Sequence, residues 1–547
     1  MNKARQHLEQ AIAINPDFAE AYYKLGLLLK RDGKKGEALE NFRKAVSLNS
    51  DFAEAQCELA IALAADGERE TARNHFLNAL EIQPSYADAY YHYALLLVDL
   101  KDIEEAKNNL EKVTEVDQNY ALAYYQKACL LTNPDDFEDA RKNFETAIDI
   151  QPDFADAHYY MGKLLAGGSA IDKDGSVLDR TDLDAAKENF LLVLKINPAH
   201  AKGLYNLARI LYIEKDLREA KSALLKALEI NPEYSKAHYL LANVLSDLGA
   251  SAKAKQHYTA SIKHYEKNAP AHFCLGKMLA EEGDVKTAES HLRKAVTLDP
   301  EHACAHYHLA LLLTENNDPA PAKKHFFRSL EINPEFAFAY YHLAHHLERH
   351  GDLNEAKVYF QKATDVDQNF VEAYFNLARI LNAPAEYVLA VRNYETAIEI
   401  DPQHAQAHYW FAKLLTGGKR LTSDGTLVHE PDPETGERHY RKAIEIDPKF
   451  AKAFFRLGLL LHENCRYAEA QQNFLTAIGI NPKFAEAHYR LAVLLMDPAA
   501  TKLLSSGKAK PQAKPAAKRT RTTKTAKKKA PKKSRATAKK PTPSKRK

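Results

Sequence analysis

Apolar residues along this chain recur three and four positions apart, the signature of helices with one buried face, and the helices come in two alternating kinds. The first kind carries a small residue at one fixed place: Gly26, Ala60, Ala94, Ala128, Gly162, Ala208, Ala242, Gly276, Ala310, Ala344, Ala378, Ala412, Gly458 and Ala492. All fourteen are Gly or Ala, which predicts a crossing point where a larger side chain would push two helices apart. The second kind carries an alanine with an aromatic or leucine four residues on, as in Ala38 and Phe42, Ala72 and Phe76, Ala106 and Leu110, Ala140 and Phe144. Residues four apart share one helix face, so these pairs predict a packing stripe. A proline-like landmark punctuates the pattern at Pro16, Ser50, Pro84, Gln118, Pro152, Pro198, Pro232, Glu266, Pro300, Pro334, Gln368, Pro402, Pro448 and Pro482. The spacing is 34 except for two steps of 46, and ten of the fourteen are proline. Proline ends the helix before it and is accepted at the start of the next.

An aromatic, Leu-Gly, a later Ala-x3-Phe and a closing proline at this period resemble the tetratricopeptide repeat, over roughly residues 1–497. The resemblance implies an all-α fold: a right-handed superhelical α-solenoid of about 14 units. Both 46-residue steps, Pro152 to Pro198 and Pro402 to Pro448, lie 250 residues apart, so residues 16–265 read as a block of seven units followed by a second block of seven. Each block would make about one superhelical turn in this family. The expected layout is a solenoid over 1–504, with hairpin-like insertions near 167–181 and 417–433, and a disordered basic tail over 505–547. The chain opens inside a helix of the second kind (Ala4, Leu8, Ala11), read as a missing upstream partner or a cap. Phe484–Met496 closes the array as a first helix without a full partner. In the insertions, GGSAIDKDGSVLDR and GGKRLTSDGTLVHE, Asp-Gly between apolar residues is a hairpin-turn signal. Asp172, Asp174 and Asp179 invite a calcium reading, but the second copy lacks the first aspartate and neither has a twelve-residue loop closed by glutamate; matched hairpins serving as a contact point are the expectation.

In this family the first helices line an inner groove, reached by their fifth residue. Here that position holds Tyr23, Cys57, Tyr91, Tyr125, Tyr159, Tyr205, Tyr239, Phe273, Tyr307, Tyr341, Phe375, Tyr409, Phe455 and Tyr489. Two readings stand: an aromatic ladder gripping an extended peptide, or packing alone. Four residues further on, Lys163, Arg209, Asn243 and Lys277 occupy consecutive units, and His345, Arg379 and Lys413 form a second polar stretch, flanked by Leu27, Ile61, Leu95, Leu459 and Val493. Cationic rungs suit an acidic or phosphorylated segment, unless each pairs with a nearby carboxylate. The dicarboxylate clamp of chaperone-binding members is incomplete: Lys452 and Arg456 match its last two places, while Trp410, Phe375 and Arg379 occupy others. The asparagine ladder of the superhelical arm of O-linked N-acetylglucosamine transferase is matched only by Asn206 and Asn376, and no glycosyltransferase domain follows.

Charge adds a second part. The net charge of +3 conceals 18 basic and no acidic residues from Ser505 to Lys547, leaving 58 basic against 73 acidic residues and a charge of −15 in 1–504. The tail, rich in Lys, Ala, Pro and Thr without aromatic or large aliphatic side chains, cannot offset its ordering entropy and is expected to be disordered. It resembles linker-histone tails and lysine-rich nucleoid proteins, with one S/T-P-x-K unit at Thr542–Lys545. Lys518, Arg519, Arg521, Lys527, Lys528, Lys529, Lys532, Lys533, Lys539, Lys540, Lys545, Arg546 and Lys547 are the candidate contacts to DNA or RNA, sequence-independent because nothing offers groove-specific donors. A nuclear localisation signal, or docking on the acidic body, are the competing readings.

Catalytic and metal chemistry find no support: there is no Gly-rich phosphate loop, nucleophile elbow or H-E-x-x-H. His158, His238, His272, His306, His408 and His488 share the fourth position, which predicts packing histidines; His302, Cys304, His306 and His308 are the best metal candidate and fall short of four converging ligands. Five scattered cysteines, no signal-peptide core and no membrane-length apolar run place the expectation inside the cell: the nucleus in a eukaryote, the cytoplasm or nucleoid in a bacterium. The function expected is a non-catalytic scaffold without cofactor, holding extended or acidic protein segments and tethered to nucleic acid. The alternatives are a peptide-binding adaptor or chaperone-like receptor whose tail is an address, and the targeting arm of a separated glycosyltransferase-like enzyme.

Overall fold

The computed structural model describes residues 2–167, 169–171, 177–179, 182–316, 318–417, 420–421 and 427–505. Two compact units divide the chain, residues 1–342 and 343–547. In the first, Asn2–Ile14 is a helix of the second kind, and nine helix pairs follow, from Ala19–Arg31 with Lys35–Leu48 to Ala303–Glu315 with Pro319–Ile332. The division falls within Ala337–Arg349. In the second unit, Leu353–Val366 leads into the pairs Val371–Ile380 with Tyr387–Ile400, Ala405–Leu415 with Pro433–Ile446, and Ala451–Glu463 with Tyr467–Ile480; Ala485–Met496 and the short Pro498–Ser505 end the described helices. Each unit is an α-solenoid in which every pair packs on its neighbours. Among the described residues, strands occur only in the insertions: Ser169–Ile171 pairs antiparallel with Val177–Asp179, and Arg420–Leu421 with Leu427–His429.

The crossing point has the steric cause expected of it. A Cβ on Gly26 would stand 2.6 Å from Phe42 Cε1, and one on Gly458 2.7 Å from Phe474 Cε1. Here and along the stack the second-helix stripe is sealed, as at Ala38, Phe42 and Ala45 or Ala322 and Phe326.

Two devices set the connections. Between the helices of a pair the chain turns through a left-handed residue: Gly33, Gly67, Gly249, Gly283 and Gly351 take it, and at Lys101, Lys215 and Cys465 a side chain tolerates it. Between pairs, an Asn or Asp just before the proline landmark accepts a hydrogen bond from the amide two residues on. Asn15 does so from Asp17, Asn197 from Ala199 and Asp401 from Gln403. Asn49, Asp117 and Asp367 keep this turn where the landmark is Ser50, Gln118 or Gln368, so the side-chain bond forms without proline, while at Pro84 and Pro152 a glutamine precedes the proline instead. At the Glu266 landmark Tyr265 cannot make it, and Asn268 instead caps the next helix by accepting from the Ala271 amide. Finally, two first helices stop early, Ala121–Leu130 and Val371–Ile380, each followed by a 3₁₀ turn at Pro134–Asp136 or Pro384–Glu386. They too lie 250 residues apart.

Candidate functional site

The fifth-position aromatics are spent largely on packing. Tyr91, Tyr159, Phe375 and Tyr409 are buried, and Tyr125, Tyr205, Tyr239, Phe273 and Tyr341 are half-buried. Each of several meets two rings. One belongs to the second helix of its own pair, as in Tyr125 with Phe144 at 6.2 Å between centroids and Tyr409 with Tyr440 at 6.0 Å. The other is the residue that opens the next first helix: Tyr91 with Tyr120 at 5.2 Å, Tyr159 with His200 at 5.0 Å, Phe273 with His302 at 4.7 Å, Tyr409 with Phe450 at 4.8 Å. This second partner, two residues after the proline landmark, was missed in the sequence reading although its aromatic character recurs there at period 34. Of the two readings of the ladder, the geometry favours packing.

The ninth-position rungs differ from one another. Arg379 is paired: its Nη2 donates to both carboxylate oxygens of Glu348 at 2.7 and 2.8 Å, and its Nε to Asn376 Oδ1 at 3.2 Å. His345 contacts the same Glu348 at 3.3 Å. Asn243 accepts from the Tyr258 hydroxyl at 2.7 Å, and Lys277 reaches Glu281 only at 4.0 Å. Lys163 lies over the Tyr160 ring at 5.0 Å and Arg209 donates to Asn206 at 3.2 Å. Among the described residues no carboxylate lies within ion-pair distance of Lys163, Arg209 or Lys413.

Lys413 has the most pronounced environment. Its ammonium stands 4.3 Å from the centroid of Trp410, the chain's one tryptophan, and burial, followed by the charges of Arg456 and Lys452, holds its amine below the ordinary lysine range. Lys413, on Ala405–Leu415, thus has the indole face at one side and feels two further cations, Lys452 and Arg456, from Ala451–Glu463. At the other end of the chain the corresponding face is apolar: Ile61 lines two small clefts of about 160 and 270 Å³, one with Leu39 and Phe42, the other with His92 and Leu95.

Five of the six fourth-position histidines pack between helices, each opposite a partner that the sequence alone did not assign, whereas His488 is exposed and meets only the Pro482 carbonyl, at 3.1 Å. His238, His272, His306 and His408 face His257, His291, His325 and His439 on their second helices, and His158 faces Asn189. The signal was present as a spacing of 19 in the first three pairs. Among the described residues no group of three or more His, Cys, Asp or Glu side chains is placed to hold a metal ion, and no helix is long and apolar enough to cross a membrane. Asp172 and Asp174 lie outside the described residues, as do the candidate nucleic-acid contacts between Lys518 and Lys547.

Comparison with known families assigns the class. Profiles described as tetratricopeptide repeats match residues 1–33, 19–52, 63–129, 121–154, 239–303, 279–347, 339–370, 371–404 and 439–472, and the second ARM domain of tetratricopeptide repeat protein 21 matches 179–249. The chain belongs to the tetratricopeptide-repeat proteins. Curated proteins give no match. Among solved structures, YrrB, described as having an unusual peptide-binding site, shares 22% identity over 36% of this chain and 95% of its own, with a TM-score of 0.30. Yeast Tom70 shares 18% over 89% and 99%, with a TM-score of 0.32, and the Cut9–Hcn1 hetero-tetramer 15% over 86% and 96%, with a TM-score of 0.36. These likenesses say nothing of this chain's ligand.

Proposed function

We propose that the protein is a non-catalytic scaffold whose first helices hold an acidic protein segment, anchored at Lys413 over Trp410 and at the two cations that act on it, Lys452 and Arg456. The observation that carries this reading is the unneutralised charge. Like charges brought together on a partly buried surface repel one another, and an acidic side chain laid between them would remove that repulsion while the Trp410 indole supplies flat contact area. Arg379, already paired with Glu348, belongs to the scaffold rather than to this anchor.

Trp410 supplies the assay. Full-length protein is titrated with a short polyglutamate peptide and followed by tryptophan emission, beside a variant carrying Lys413→Glu and Lys452→Glu. A saturable, salt-sensitive change that the double variant loses supports the anchor; no saturable change, or one the double variant retains, overturns it.

The tail's 18 basic residues and no acidic ones support a second element, tethering of the scaffold to nucleic acid. If about ten of these charges met phosphates, log K would fall with log salt at a slope near −9. Fluorescence anisotropy with duplex and single-stranded oligonucleotides, on full-length protein and on a version ending at Leu504, reads this: salt-steep binding lost on truncation supports the tether. No binding at low salt leaves the tail as an address for an adaptor.

A further inference from the structure

In four repeats an imidazole of the first helix meets an imidazole of the second. Nδ1 faces Nδ1 at 3.0 Å for His238 and His257, 2.9 Å for His272 and His291, 2.9 Å for His306 and His325, and 2.8 Å for His408 and His439. Each first-helix ring turns its Nε2 to the backbone carbonyl six residues earlier, on Pro232, Glu266, Pro300 or Pro402, at 3.0 to 3.3 Å. A carbonyl only accepts, so that Nε2 carries the hydrogen. In the neutral ring Nδ1 is then bare, and the second-helix ring must donate its Nδ1–H to it. Such a pair takes up one proton, on the remaining Nε2 of the second ring, and keeps its bond. A second proton has only the first ring's Nδ1 to go to, and there it would set two N–H groups against each other.

We infer that these pairs are an acid-sensitive clasp: the four repeats that carry them, three consecutive over residues 235–332 and one over residues 405–446, hold first helix to second only while each pair carries at most one proton, and they part in mild acid while the remaining repeats hold.

The surroundings oppose charging. Burial is the largest cause holding all eight imidazoles below their ordinary value, with His325 and His439 lowered to about 4. His238 and His257 face a further histidine, His264, stacked on His238 at 5.7 Å. His272 and His291 face Lys294 and Glu266. Around His306 and His325 stand Arg328, Arg293, Lys324 and His302 against Glu301; around His408 and His439 stand Lys442, Arg438 and His404 against Asp401 and Asp432. The sign follows. Above about pH 6.5 folded and unfolded chains are both neutral at these sites; as pH falls from there toward 4 the unfolded chain binds protons the folded one refuses, and stability is lost across that window. For His325, a folded value of about 4 against about 6.5 unfolded shifts the opening equilibrium about 30-fold at pH 5.

Each of these first-helix histidines immediately precedes a fifth-position ring, and the helices carry the rungs Asn243 and Lys277. Acid release of a groove ligand would follow, a consequence that rests on the groove reading, whereas the clasp itself does not.

Hydrogen exchange on the full chain at pH 7.5 and 5.0, with rates divided by the intrinsic rate at each pH, reads the clasp without any ligand. The expected result is a loss of protection of tenfold or more in Ser251–His264, Val285–Leu298 and Pro319–Ile332, beyond any loss in Lys35–Leu48 and Ile103–Val116. The variant H257N/H291N/H325N places an amide oxygen opposite each first-helix ring, as Asn189 stands opposite His158 at 2.9 Å, and should abolish the difference. The converse variant N189H should bring acid sensitivity to residues 155–196, which keeps a test available if the triple variant fails to fold. Loss spread evenly along the chain, or loss within 251–332 that the triple variant retains, overturns the inference. Failure of the polyglutamate titration at pH 7.5 would sink the groove reading and leave the clasp standing.

Discussion

Phe474→Ala tests how the stack is held together. The ring is buried to 1% exposure, lies 6.0 Å from the Phe455 centroid, and presses so closely on the opposite helix that a Cβ on Gly458 would come within 2.7 Å of it. Removing it deletes a fully buried aromatic and leaves a hole that two helices clamped by other repeats cannot close, a change that costs about 3–5 kcal/mol. Phe474→Leu is the control, because leucine occupies the same place at Leu110, Leu224 and Leu292 and fills most of the volume; it should cost about 1.5 kcal/mol or less. In a stack where each repeat touches only its neighbours, the damage should also stay local. Calorimetry and hydrogen exchange on wild type and both variants measure the two claims together. The expected picture is an early melting step in Phe474→Ala, with protection lost over residues 451–505 first and residues 19–150 unaffected. Equal stability of the alanine and leucine variants would refute the packing argument, and loss spread evenly from residue 19 to 505 would refute the local one.

Ser329 sits fully buried with its hydroxyl unpartnered, at the place where Ala45, Ala79 and Ala295 stand elsewhere and where Ser261 is satisfied by Ser235 and Asn268; Ser329→Ala should raise stability by about 1 kcal/mol in chemical denaturation, and Ser261→Ala should lower it. Cys465 holds a left-handed turn at φ 58°, so Cys465→Gly should stabilise by about 0.5–1 kcal/mol, read as a higher denaturant midpoint. With a thiol reagent at neutral pH, Cys304 and Cys465 should react fast because they are exposed, and Cys57 not at all, because it is buried and its thiol is pushed up to about 12. Arg379→Met should destabilise by about 1–3 kcal/mol, leaving Glu348 with a lost bidentate partner, while Lys413→Met costs nothing measurable; a loss from Lys413→Met as large as from Arg379→Met would remove the distinction between scaffold and anchor.

The stack was legible because its cause is steric and repeated. A small residue at the crossing and a large one opposite, found thirteen times in phase, admit little else, and Gly26 against Phe42 shows the contact directly. What could not be read were contacts set by distance in space rather than by pattern in one helix. Tyr91 and Tyr120 are 29 residues apart and belong to different repeats, so periodicity marks both as aromatic without saying that they close on each other and leave the groove to other side chains. The same holds for the imidazole pairs: the fourth-position histidines read as packing residues, but the donor and acceptor order that limits each pair to one proton depends on a carbonyl six residues back turning toward Nε2.

The rungs carry that argument furthest, because one rule separates them. Arg379 meets Glu348, 31 residues earlier, at the twelfth position of the preceding first helix. The twelfth position of the preceding first helix holds Thr132 for Lys163, Ala166 for Arg209 (43 residues back, across the insertion), Ser246 for Lys277 and Asn382 for Lys413. None of these is acidic, so the cross-repeat partner that neutralises Arg379 is missing for the others by composition. Cations that a chain of charge −15 over residues 1–504 nonetheless leaves unpaired are placed where an arriving carboxylate gains most: it displaces no existing ion pair and relieves repulsion already present. Supplying the missing partner internally is therefore the sharpest discrimination. Asn382→Glu should pair Lys413 as Glu348 pairs Arg379, quenching polyglutamate binding at Trp410 without unfolding the repeat, whereas Ala166→Glu should leave that signal unchanged.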